Sequence, residues 1–182
     1  MSYLCCEICA AEGLVLPIVL DPASIAVGLC GAGEGLIRRQ RMLAASGVLA
    51  VIVGFDAPDE ALHGLSALFI AGLPQAQAHR LVARARLAGV LVNVEDQPAL
   101  CDFHVPAMIR RGDLLLTVST GGSAPGLARI VREWLERLLD ATWGERLRTA
   151  AEARRSWRRA GHAPAEIARR TRALAEEEGW LS

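Results

Sequence analysis

An asparagine, three acids and a histidine crowd one stretch of this chain, NVEDQPALCDFH: Asn93, Glu95, Asp96, Asp102 and His104. An apolar run, Val90 to Val92, leads straight into it. A carboxylate held at the end of a buried strand is a candidate general base, because it is positioned yet open to a ligand. His104, close in sequence to Asp96 and Asp102, has the chemistry to hold an incoming metal ion. The same five residues are also compatible with a solvated loop, and spacing alone leaves both readings open.

A second group lies earlier. Gly31, Gly33 and Leu36 occupy the positions of a G-x-G-x-x-G turn that follows an apolar strand and opens a helix. The first glycine permits the tight turn, and the second lets backbone amides approach a pyrophosphate at the helix N-terminus. The third position wants a small residue, and Leu36 is not small. Asp56, in GFDAP, follows the second apolar run and is a candidate partner for ribose hydroxyls. A third group is TGGSAP before a helix, whose free amides suit an anion. There Ser123 is expected to cap the helix and Pro125 to sit in its first turn.

The elements that must position these groups alternate. Strands are expected at 25–30, 48–53, 67–71, 90–94 and 114–119. Helices are expected at 36–45 and 75–88, each followed by a glycine, with two helical turns at 58–65. Alternation of this kind predicts a parallel sheet covered on both faces. The link from Gly54 to Ser66 is near the minimum of about 10–12 residues for a parallel crossover. A later helix carries Leu127, Ile130, Val131, Trp134, Leu135 and Leu138 at helical spacing, and an arginine-rich helical tail breaks at Gly161 to Pro164. Trp134, Trp143, Trp157 and Trp180 are read as core or interface residues.

Composition narrows the function. The chain has 182 residues, 52% of them hydrophobic, and a formal net charge of zero. No basic run suggests a nucleic-acid surface. All 20 basic residues are arginine, which excludes a Schiff-base lysine and a P-loop lysine and suits recognition of carboxylate or phosphate. No apolar run is long enough to span a membrane. Glu7 and Glu12 near the N-terminus do not fit a signal peptide, so a cytoplasmic location is expected. Five cysteines, an odd count, argue against a disulfide framework. Cys5, Cys6 and Cys9 have no second half-site to complete a metal centre, and no metal ligands are assigned.

LPIVLD, the glycine loop with Arg38 and Arg39 behind it, and NVEDQPALCDFHVPAMIRRGDLLLTVSTGGSAPGLAR together resemble the precorrin-2 dehydrogenase family. This family is also similar to the N-terminal part of siroheme synthase. The resemblance runs from about Leu16 to Leu139. It implies an α/β chain: a Rossmann-like NAD(P)-binding domain at 1–112, a dimerisation region at 113–143 and a C-terminal helical segment at 144–182. It implies a homodimer that oxidises precorrin-2 to sirohydrochlorin with NAD, with ferrous or cobaltous ion as a further substrate if the protein is also a chelatase. The tetrapyrrole is expected in a cleft between the Rossmann and dimerisation regions. The essential aspartate of the family falls on Asp96. Its cofactor contacts fall on Gly31, Gly33, Glu34, Gly35, Phe55 and Asp56, and its turn facing the substrate on Ser119 and Thr120. Asn93 and Gly121 are grouped with that turn. The substrate carries eight carboxylates, so Arg110, Arg111 and Arg129 are assigned to it on charge. The rival expectation is a shortened relative that has lost the cofactor and holds a tetrapyrrole or metal as carrier or regulator.

Overall fold

The computed structural model describes residues 15–181. They divide into two compact units, one ending at Val105 and the other beginning at Pro106. Cys5, Cys6 and Cys9 lie outside the described residues.

In the first unit, strands β1 (Val27–Gly31), β2 (Val51–Ile52), β3 (Ala67–Ala71) and β4 (Leu91–Val94) form a parallel sheet in the order β2-β1-β3-β4. The chain steps outward from β1 to β2, then back across β1 to β3. That reversal opens a crevice beyond the carboxyl ends of β1 and β3, where ligands of such sheets bind. Helix α1 (Gly33–Ala45) covers one face and α2 (Gln75–Leu87) the other. Cys30, Leu68, Ile70, Val92 and Val94 pack against Leu81, Val82 and Ala85 of α2. Val27, Leu29 and Phe69 alternate with them and meet Leu43 of α1. Burial on both faces is why these strands read as unbroken apolar runs.

β2 is shorter than the expected 48–53, and its two ladder residues are exposed. It is an edge strand with β1 on one side only. The link that follows makes only a 3-10 turn, Asp59–Leu62, in place of a crossover helix. Leu62 is wholly buried and anchors it. Arg84 of α2 does the rest: it donates to the carbonyls of Phe55 (3.1 Å) and Ala57 and to the Asp59 carboxylate (2.6 Å). A link this short is held by a cation from the next helix.

The other sheet edge is sealed. The chain doubles back along β4, and Asp102 N–H donates to Val92 O (2.8 Å). Val92 N–H donates to Asp102 Oδ2 (3.0 Å) and Val94 N–H to Cys101 Sγ (3.2 Å). Arg86 binds the second oxygen of Asp102 at 2.7 Å. Strand groups that would otherwise face solvent unpaired are thereby satisfied. Asp102 therefore has a structural task, which explains one acid of the cluster. Asp102→Ala strands the Val92 amide and removes the ion pair to Arg86, and is expected to cost about 1–3 kcal/mol. Urea unfolding reads the loss, and a variant as stable as the parent would refute this role.

In the second unit, β5 (Ala107–Arg111) and β6 (Leu114–Val118) form an antiparallel hairpin that turns at Gly112, φ 59°. Helices α3 (Pro125–Leu138), α4 (Trp143–Arg159) and α5 (Pro164–Glu177) follow. Ile109 of β5 and Ala128 of α3 are buried in this unit. The expected boundary after residue 112 falls in the turn of this hairpin. The division lies at Val105 instead, because β5 pairs with β6 alone. β5 was not foreseen: its charged end, Arg110 and Arg111, hides the strand pattern. α3 begins at Pro125 as expected, but Ser123 does not cap it. Ala124 holds the cap position without a side-chain bond, and the Ser123 hydroxyl donates to Thr120 O (2.6 Å).

Candidate active site

The crevice is built on glycines. A Cβ on Gly31, at the end of β1, would lie 2.0 Å from the Ala71 carbonyl oxygen of β3. A Cβ on Gly72, φ 68°, would lie 2.2 Å from the Ala32 carbonyl oxygen. Ala32 N–H donates to Ala71 O (3.1 Å). The ends of the two central strands thus cross at backbone contact. Gly33, φ 60°, opens α1, and nothing lies within 4 Å of where its Cβ would be. Ala32 offers no side-chain cap, so the first-turn N–H groups of α1 stay open to a bound anion. These residues fit the pyrophosphate of a dinucleotide: bare backbone, open space and a positive helix end.

One assignment moves. The close approach of helix to sheet falls on Gly35, not Leu36. A Cβ on Gly35 would lie 3.1 Å from Gly72 N and 2.8 Å from Glu95 Oε2. Leu36 is turned into the core beside Val27, Leu29 and Phe69. Because α1 already starts at Gly33, its third residue is the one that faces the strand ends. Gly72 had gone unremarked; its signal was a glycine directly after an apolar strand, mirroring Gly31.

β4 delivers the acidic residues to the same end of the sheet. Asn93 is buried; its Nδ2 donates to Phe103 O (2.9 Å), and its Oδ1 has no partner among the described residues. Glu95 binds Arg38 at 3.0 Å and Arg39 at 3.7 Å. Arg39 lies over the Phe69 ring, 5.4 Å from its centre. Burial pushes the Arg39 guanidinium below its ordinary pKa, Glu95 pulls it back up, Arg38 lowers it, and Asp96 contributes a smaller upward pull. Asp96 has φ 58°, the one non-glycine residue with positive φ among the described residues. Its side chain is exposed and takes no hydrogen bond or ion pair from any described residue. Backbone strain of this kind gathers at functional sites.

The remaining expected residues are placed unevenly. Asp56 is exposed in the turn after β2, and Glu34 is exposed on the first turn of α1. Phe55 lies in the same turn as Asp56, but its ring packs toward the α2-side core and under Arg80, at 5.0 Å. His104 is exposed. Among the described residues no three His, Cys, Asp or Glu side chains come together as an ion site. In the second unit, the Ser119 hydroxyl accepts from Gly121 N–H (3.2 Å) and Thr120 Oγ1 from Ala124 N–H (3.2 Å). Both hydroxyls keep a proton to donate. Gly121 and Gly122 have φ 61° and 85°, which shapes the turn. Arg110 is exposed. Arg111 donates to the carbonyls of Leu139 (2.8 Å) and Glu136 (3.4 Å), so it caps the end of α3. Arg129 pairs with Glu133 one turn on, at 3.0 Å.

Residues 18–107, which hold the whole crevice, match the family described as NAD(P)-binding. Siroheme synthase of Methylobacillus flagellatus is 46% identical over 88 residues, 48% of this chain and 19% of that protein. Siroheme synthase of Methylococcus capsulatus is 31% identical over 167 residues, 80% of this chain and 35% of that protein. The sequence similarity therefore runs to siroheme synthases, and the structural similarity to a precorrin-2 dehydrogenase. Against the solved structure of SirC, precorrin-2 dehydrogenase, the chain superposes with a TM-score of 0.68 at 19% identity, over 92% of this chain and 93% of that one, which shows a common fold. It spans roughly a fifth to a third of the length of the siroheme synthases above, from 19% to 35%. The α/β fold with a parallel sheet is thus the Rossmann-like fold of that structure, and the family matched over residues 18–107 is one that binds a nicotinamide cofactor.

Proposed function

We propose that this protein oxidises precorrin-2 to sirohydrochlorin with NAD. One observation carries the reading: a free carboxylate, Asp96, stands in strained backbone at the tip of β4, one residue from the glutamate that touches the glycine turn. NAD supplies the hydride acceptor, and loss of hydride from the macrocycle must be matched by loss of a proton. Asp96 takes that proton. Among the described residues it makes no ion pair that would have to break first. Gly31, Gly33 and Gly35 admit the pyrophosphate, and Asp56 faces the ribose hydroxyls. A carboxylate there repels a 2′-phosphate, and no arginine directly follows β2, which favours NAD over NADP. Of the second-unit residues assigned to the substrate, Arg110 and the hydroxyls of Ser119 and Thr120 have no ion pair among the described residues to give up. Arg111, committed to α3, is a lesser contributor.

The same carboxylate has the chemistry to take protons from pyrrole nitrogens while a ferrous or cobaltous ion enters. An anaerobic absorbance assay tests both steps. Precorrin-2 is mixed with protein, with and without NAD, and the ion is then added. Sirohydrochlorin is expected only with NAD. No saturable NAD binding at millimolar cofactor favours a tetrapyrrole or metal carrier instead.

The homodimer belongs to the same proposal. Leu127, Ile130, Trp134 and Leu138 recur along α3 and are each 53–64% exposed, an apolar stripe that a second copy would cover. Trp134→Glu is expected to give monomers in sedimentation at micromolar protein. A variant still dimeric would move the interface elsewhere.

A further inference from the structure

Glu95 is unusual for a residue beside a pyrophosphate turn. A carboxylate there repels the ligand that the turn is built to attract. It is not a loosely solvated acid: its side chain is 14% exposed, equal to that of Arg39. It is seated in space that the missing side chain of Gly35 leaves, with Oε2 2.8 Å from the Cβ position. Arg38 contributes two contacts, at 3.0 and 3.3 Å, and Arg39 one at 3.7 Å. A cavity of about 260 Å³ lined by Arg38, Arg39, Met42 and Glu95 opens beside them. Arg38 is 64% exposed and has room to swing.

We propose that Glu95 sets the affinity of the glycine turn for its dinucleotide, by holding Arg38 and Arg39 on an internal carboxylate and keeping them from the pyrophosphate. The inference rests on the reading of the turn as a dinucleotide site and adds a residue that weakens it. Two guanidinium groups face one carboxylate, so the cluster carries net positive charge that Glu95 partly cancels. A bound pyrophosphate competes with Glu95 for Arg38, the more exposed of the two. A modest affinity lets the reduced cofactor leave after turnover.

Glu95→Gln keeps the shape and removes the charge. NADH fluorescence titration of the full chain is expected to show binding about tenfold tighter, the equivalent of roughly 1.4 kcal/mol. Its dependence on salt should steepen, because freed arginines now meet phosphate. The double variant Arg38→Gln with Glu95→Gln should lose most of the gain. A purely structural Glu95 predicts the reverse: weaker NADH binding and a lower melting temperature in Glu95→Gln. Binding no tighter than in the parent, including the case in which neither binds, overturns the inference, and so does a gain that survives loss of Arg38. The outcomes stay separable from the function above. Turnover by the parent with an unchanged Glu95→Gln affinity removes this inference alone. Tighter NADH binding without precorrin-2 turnover removes the function alone.

Discussion

Asp96→Asn is expected to lower kcat for sirohydrochlorin formation by about 10²–10⁴-fold, the range for loss of a general base. NADH affinity should change little, because the glycine turn and the Arg38–Glu95–Arg39 cluster stay in place. Asparagine is the informative substitution. Asp96 has φ 58°, and asparagine tolerates that region almost as well as glycine, so the tip of β4 keeps its course. Alanine would add a conformational penalty of about 1 kcal/mol and confuse chemistry with folding. The Asp96 carboxylate has no hydrogen-bond or ion-pair partner among the described residues, so its removal strands no donor there. Thermal unfolding of Asp96→Asn should match the parent within error. A variant that keeps more than a tenth of the parent kcat would remove Asp96 as the base.

Gly31→Ala is expected to be strongly damaging for the addition of a single methyl group. Its Cβ would arrive 2.0 Å from the Ala71 carbonyl oxygen, a backbone atom that cannot rotate away. The ends of β1 and β3 would have to part, and the Ala32–Ala71 hydrogen bond of 3.1 Å would go with them. A cost of about 3 kcal/mol or more follows, against a total stability of about 5–15 kcal/mol for an ordinary domain. Gly33→Ala makes the contrast. Nothing lies within 4 Å of its Cβ position, so it meets only the penalty of φ 60°, about 1 kcal/mol. Its methyl group points into open space at the turn, so its larger effect should fall on NADH affinity. Urea midpoints for both variants, with NADH titrations, separate the two roles. A Gly31→Ala loss below about 1 kcal/mol would show that the strand ends are free to separate.

The amino-acid sequence was enough to order the first unit. Runs at 67–71 and 90–94 are apolar throughout because both faces of the sheet are covered, and a run of that kind has few other places to go. The glycine turn was legible for a related reason: glycines are demanded by backbone contact, and Gly31 shows it. The place of Asp96 at the end of β4 was legible from the alternation of strands and helices, whereas its choice as a base came from the family resemblance.

What sequence could not separate was the work of neighbouring acids. Glu95, Asp96 and Asp102 look alike in a one-dimensional string. Their surroundings differ because their partners come from elsewhere: Arg38 and Arg39 on α1 for Glu95, Arg86 on α2 and the β4 edge for Asp102, and no hydrogen-bond or ion-pair partner among the described residues for Asp96. Arg111 and Arg84 went to the backbone carbonyls of distant segments in the same way. Ion pairs and edge caps are set by which surfaces the fold brings together across tens of residues, and no local period announces them. The alternation of strands and helices, the parallel sheet and the glycine turn after β1 follow from chemistry carried by the residues themselves; strand order, the crossing of Gly31 and Gly72, and the ion-pair partners of Glu95 and Asp102 were decided only when α1 and α2 were laid against the strand ends.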